Sequence, residues 1–149
     1  MVSTTKCAAC KSPCILSKVD GGKLLSQLRM LNMICYEKGE SIFEQGEPVS
    51  GCYIICCGQV KEGWRTSLGE RRTLRILGQG RLLAVTEALS RQSWHDTYAI
   101  AIEDEESRLL FIAGQEFYTL LKHPTFSVEL VMGQEIVTRA QDPVSRNPI

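Results

Sequence analysis

A chain of 149 residues suits one domain with a real core and is short for two. Its 17 basic residues balance its 17 acidic ones, and 44% of the chain is apolar. That excludes a disordered chain and gives no overall field for nucleic acid or an anionic membrane. No apolar run reaches the roughly 18 to 20 residues that span a bilayer, and Met1–Lys6 shows no signal-peptide pattern. The expected setting is the cytoplasm, with no membrane partner. There, seven cysteines favour metal or redox chemistry over a disulfide framework.

Taken in chain order, residues 1–19 form a cysteine segment holding Cys7, Cys10 and Cys14. Residues 21–32 carry Leu24, Leu25, Leu28 and Leu31 at helical spacing, which predicts a short amphipathic helix. From Met33 to about Ala113 short β-rich runs alternate with glycine, as in Cys52–Cys57 before Gly58 and Arg72–Leu77 before Gly78-Gln79-Gly80. Many short strands with frequent turn signals predict a closed all-β barrel or sandwich. Gly39, Gly46, Gly58, Gly69 and Gly80 fall where strands end or reverse.

The last part reads as helical. Gln115–Lys122 carries Phe117, Leu120 and Leu121, and His123-Pro124 breaks it. A longer helix over 124–141 follows, with Pro124 in its first turn. Phe126, Leu130, Gly133, Val137 and Ala140 are spaced as a coiled-coil seam, which predicts a homodimer interface; packing on the chain's own barrel is the alternative. Residues 143–149 read as a tail.

Three steps in this order carry a resemblance: Tyr36-Glu-Lys-Gly-Glu-Ser-Ile-Phe-Glu-Gln-Gly-Glu47, then Cys52-Tyr-Ile-Ile with Gly58-Gln-Val60, then Leu77-Gly-Gln-Gly80. Over residues 20–142 the chain resembles the cyclic-nucleotide-binding domain, and more narrowly the Crp/Fnr superfamily of transcription regulators. The resemblance implies a mainly β fold with flanking helices: a jelly-roll β-barrel at 20–123, then a long dimerisation helix at 124–142. In that family a further helix-turn-helix domain reads DNA. No such motif is expected within this chain, so DNA would be reached only through a domain not present in it.

The resemblance also implies a phosphate cassette after the Gly-x-Gly step: a glycine, a glutamate for the ribose, and an arginine for the cyclic phosphate. Here the glycine position is Ala84, the glutamate position Val85, and the arginine position falls at His95-Asp96. A buried phosphate needs a positive, fork-shaped partner, so a cyclic nucleotide is not the expected ligand. Another small ligand in the barrel stays open.

Cys7, Cys10 and Cys14 give C-x2-C-x3-C. Thiolates at such spacing can grip one metal ion or the edge of a cluster. Resemblance to the Fnr branch implies a [4Fe–4S] cluster with three N-terminal ligands and one from the barrel. The third cysteine comes early for that pattern, and there is no cysteine near Leu109-Leu110, where the barrel ligand would fall. Cys35, Cys52, Cys56, Cys57 or a non-cysteine residue could serve, with Cys35 favoured for its place at the start of the barrel. A zinc site, thiol redox sensing and plain packing of Cys52, Cys56 and Cys57 stand beside this.

Other candidates weigh less. His95, Asp96 and nearby Ser93 form no catalytic line, and a solvated loop is expected there. With only His95 and His123, a metalloenzyme is not expected. Trp64 and Trp94 are expected to pack on the barrel. Two readings of function emerge. One is an effector domain sensing redox or oxygen through the N-terminal cysteines. The other is a barrel that binds a diffusible small ligand or cyclic nucleotide, with the cysteines incidental. Neither is an enzyme.

Overall fold

The computed structural model describes residues 32–132. Eight strands are defined: β1 (Met33–Tyr36), β2 (Ser41–Phe43), β3 (Gly51–Cys57), β4 (Val60–Arg65), β5 (Arg71–Leu77), β6 (Leu82–Leu83), β7 (Tyr98–Ala101) and β8 (Ser107–Ala113). Three helices join them: α1 (Val85–Leu89), α2 (Gly114–Leu121) and α3 (Pro124–Met132). The strands pair into two four-stranded sheets, in the orders β1-β8-β3-β6 and β2-β7-β4-β5. Every pairing between these strands is antiparallel. Eight strands shared between two sheets in these orders make a jelly roll. Of the two architectures the sequence left open, barrel or sandwich, the strands pair as two antiparallel sheets.

The core lies between the sheets and continues under the helices. Ile54 and Val60 come from the long strands, Leu82 and Leu83 from β6, and Leu110 and Ile112 from β8; all are at most 1% exposed. The turns between strands follow the glycines. All five placed at strand ends adopt positive φ, between 86° and 102°. At Gly58 the requirement is double: φ is 102°, and a Cβ would come within 2.1 Å of the Ser107 hydroxyl.

α2 begins where the Glu116 carboxylate accepts the Ala113 N–H at 3.1 Å, filling one of the orphan donors of a helix start. α3 starts at Pro124, as the sequence predicts. Phe126 and Leu130 face the core, and Val128 faces out at 57% exposure. Phe126 is 0% exposed and meets Phe117 edge-on at 6.0 Å, and Leu130 is 2% exposed. These two were expected in a dimer seam. Within one chain both side chains pack in its own core. Gly133, Val137 and Ala140 lie outside the described residues, as do the cysteine segment 1–19, the predicted helix up to Leu31 and the tail 143–149.

Candidate ligand site

The cassette begins as β6 leaves the first sheet. Leu83 pairs with Tyr53 and Leu82 with Ile54, and Leu82 and Leu83 are buried. Ala84 then turns left-handed, with φ 67° and ψ 22°. A side chain in that region costs about 1–2 kcal/mol, which explains why glycine suits this place in the family. The turn lets α1 start at once, and the Ala88 N–H reaches the Ala84 carbonyl at 3.1 Å. α1 buries Val85, Glu87 and Ala88. After it Arg91 takes a second left-handed turn, with φ 55°.

The returning loop is clamped to the turn at 44–47. His95 N–H donates to the Glu47 carbonyl, and the His95 carbonyl accepts from Gly46 N–H, both at 2.8 Å. His95 is 3% exposed, so the expected solvated loop is corrected here: stacking and a carboxylate draw the ring inward. The imidazole lies flat on Phe43, with centroids 3.7 Å apart and planes 8° apart. Its Nδ1 is 3.4 Å from Oε2 of Glu87, which is 0% exposed. Asp96, next in the chain, is exposed. Of the four predicted cassette residues, Ala84, Val85 and His95 are thus buried and Asp96 is not.

Glu87 also reaches the first sheet. The Cys52 thiol is held well above its ordinary range, first by burial and then by the Glu87 charge. It is therefore a protonated, packed thiol rather than a nucleophile. A second buried acid lies on the neighbouring sheet. Glu62 of β4 is 0% exposed on the face it shares with Val60 and Trp64. Arg75 Nε donates to its Oε1 at 2.8 Å, and the Thr97 hydroxyl donates to its Oε2 at 2.9 Å.

The four cysteines among the described residues form no metal-holding group. Cys52 and Cys56 are buried, Cys57 is half-buried and Cys35 is exposed on β1, and all four are free thiols. Among the described residues no three His, Cys, Asp or Glu side chains come together to hold a metal ion. Cys7, Cys10 and Cys14 lie outside the described residues. Trp94 is 62% exposed, against the expectation that it packs. Its neighbourhood is an isolated bridge to Pro48, which leaves the indole at the surface. Trp64, 8% exposed, packs as expected.

The sequence reading passed over Glu62 and Glu87. Both carry a signal in hindsight. Glu62 stands between Val60 and Trp64 at strand alternation, on the apolar face. Glu87 is the lone charge in the run Leu82–Leu89.

A two-sheet jelly roll with a short helix set between β6 and β7, opening on a left-handed residue, defines an effector-type β domain with a cassette at that helix. Residues 33–123 match the cyclic nucleotide-binding domain, and the chain belongs to that family, in its Crp/Fnr-type form. The chain is 36% identical over 88 residues to the cyclic AMP receptor protein of Thermus thermophilus, covering 58% of this chain and 39% of that protein. It superposes on the crystal structure of the Thermus thermophilus catabolite activator protein with a TM-score of 0.65 at 24% identity, over 79% of this chain and 55% of that one. The sensor domain of the transcriptional regulator DNR from Pseudomonas aeruginosa gives a TM-score of 0.66 at 20% identity, over 80% and 79% of the two chains. The chain thus spans about two fifths of the curated relative's length. Among the described residues no helix is long and apolar enough to cross a membrane.

Proposed function

We propose that this chain is the effector domain of a Crp/Fnr-like transcription regulator whose signal is not a cyclic nucleotide. One observation carries this reading. Where the family's arginine would receive the cyclic phosphate, His95 lies flat on Phe43 beside a fully buried Glu87 carboxylate. An anion placed there would meet a like charge in a poorly hydrated site, and no guanidinium. Val85 in the glutamate position removes the ribose contact as well.

The signal in this reading is redox state or oxygen, taken up by Cys7, Cys10 and Cys14 as an iron–sulfur or thiol centre, with Cys35 as the accessible fourth candidate. A [4Fe–4S] cluster held there would supply the redox chemistry. The described residues do not by themselves assemble such a site. The response passes along the helix at 124–142 to a second copy of the chain, and DNA is bound through a domain outside this chain, in the cytoplasm. Because Phe126 and Leu130 are spent in the core, the seam falls to Gly133, Val137 and Ala140, joined by Val128, which is 57% exposed. The domain acts as a binding module and not as an enzyme.

Anaerobic purification, followed by assay of iron, sulfide and zinc and a visible spectrum, tests the reading. Iron and sulfide in near-equal amounts, lost in Cys10→Ser, support it. A metal-free protein that shows no thiol response to oxidant and binds cyclic AMP saturably sinks it. The second reading, a diffusible ligand or cyclic nucleotide bound at Ala84, Val85 and His95 with Asp96 at the surface, is favoured by the buried polar group Glu62–Arg75–Thr97. Such convergent polar groups inside an apolar wall are what ligand sites use for orientation.

A further inference from the structure

The outer face of the second sheet carries a cluster that the cassette does not use. Gly63 pairs in register with Thr73 on β5 and with Tyr98 on β7, and Arg65 pairs with Arg71. Residues opposite one another, and residues two apart on a strand, share a face. Tyr98 lies across Gly63 because nothing stands there: a Cβ at Gly63 would come within 2.8 Å of the Tyr98 hydroxyl oxygen. The ring is thereby 1% exposed. Both guanidiniums stand over it, Arg65 at 5.4 Å and Arg71 at 5.0 Å from the ring centre.

Two features of this cluster call for a further partner. Like charges directly opposite on paired strands repel, and one aromatic face offsets only part of that. Glu44 stands 3.6 Å from Arg65. Arg71 has no carboxylate partner among the described residues. The second feature is the Tyr98 hydroxyl, which is buried and has no hydrogen-bond partner among the described residues. Buried polar groups of this kind are few in native proteins, and each calls for an explanation.

We propose that Arg65, Arg71 and Tyr98 form a binding site for a small tetrahedral oxyanion, with inorganic phosphate and sulfate as its simplest forms. Guanidinium forks match such oxygens, and charge-assisted hydrogen bonds are the strong ones. The donors come from two rows of the sheet rather than from one plane, which suits a tetrahedral anion better than a flat carboxylate. Arg71 is exposed, so its side chain can swing to admit the anion. The Glu44 carboxylate competes for Arg65 and keeps the affinity modest. The site lies outside the sheet and does not depend on the effector reading.

Calorimetric titration of the whole chain with phosphate, sulfate and succinate tests this. Phosphate and sulfate are expected to bind saturably and more tightly than succinate. Binding weakens about tenfold in Tyr98→Phe and at least about tenfold in Arg71→Ala. It stays unchanged in Arg72→Ala, whose guanidinium pairs with Glu70. Tyr98→Phe keeps the ring on Gly63, and a thermal melt without anion shows whether each variant folds. No saturable binding by the parent chain, or undiminished binding by folded Tyr98→Phe and Arg71→Ala, overturns the site. Succinate binding as tightly as phosphate overturns the tetrahedral assignment.

Discussion

On its inner face the second sheet buries an acid, Glu62, and across from it the cassette buries another, Glu87. On its outer face the same sheet presents Arg65 and Arg71 around Tyr98. A domain built to receive a cyclic phosphate inside would carry the opposite polarity. On the reading proposed above, the fold of the family is retained here with acids where such a phosphate would need bases, one of them, Glu62, paired with Arg75. In that reading fold and ligand are separable: Ala84 takes the left-handed turn that opens α1 whatever ligand the site receives.

The sharpest way to break this comparison is to restore the family polarity inside. Ala84→Gly, Val85→Glu, Glu87→Ala and His95→Arg together supply the glycine turn, the ribose carboxylate and the phosphate fork, and remove the opposing acid. The parent chain is expected to give no heat with cyclic AMP at accessible concentrations. The fourfold variant is expected to bind at micromolar level, a gain of at least about a thousandfold, or about 4 kcal/mol. Calorimetry decides. If the parent chain binds as well as the variant, the inverted polarity does not govern ligand choice.

Next in size is the inner acid itself. Glu62→Ala strands the Arg75 guanidinium and the Thr97 hydroxyl in a largely dry site, and breaking such a pair costs about 3 kcal/mol. Urea unfolding followed by tryptophan fluorescence measures the loss. A loss below about 0.5 kcal/mol would place Glu62 in water rather than in the core.

Much of this was legible in the sequence. Strand alternation and glycine spacing place the strands, because period-two patterning and positive φ are local demands. The destination of a side chain is not local. His95 reads as a loop residue until Phe43, 52 positions earlier, stacks on it. Phe126 and Leu130 repeat like a seam, yet the same spacing serves a helix lying on Phe117. Trp94 is apolar but emerges where the loop carries it. The two buried acids read as surface charges, since only tertiary partners make a buried carboxylate tolerable.

A third test separates a buried thiol from an exposed one by pH. Cys52 is fully buried, and burial followed by the Glu87 charge raises its pKa above the ordinary value. Above about pH 8.5 the unfolded chain loses that proton and the folded one keeps it, so the unfolded state binds fewer protons and stability falls as pH rises. The expected slope from Cys52 is about 1.4 kcal/mol per pH unit. Tyr53, raised chiefly by burial, adds to it above about pH 10. Urea melts between pH 8 and 10 should flatten in Cys52→Ala (range chosen to bracket the roughly 8.5 of a free thiol). In the folded chain a thiol reagent should label exposed Cys35 and spare Cys52.

The smallest expected effect is the most local. Ala84 holds φ 67° without the freedom of glycine. Ala84→Gly relieves about 1–2 kcal/mol of left-handed strain. It also loosens the unfolded chain, which returns roughly 0.4–1 kcal/mol against it. The net is a stabilisation of about 1 kcal/mol or less, seen as a rise of a few degrees in melting temperature. The Ala84 side chain is buried at 1% exposure, so losing its methyl opens a small void that pulls the other way. If strain dominates, the variant melts higher and the cassette turn is a retained glycine site now occupied by alanine. If the variant melts lower, the methyl is a packing element of the interior that outweighs the strain of the turn.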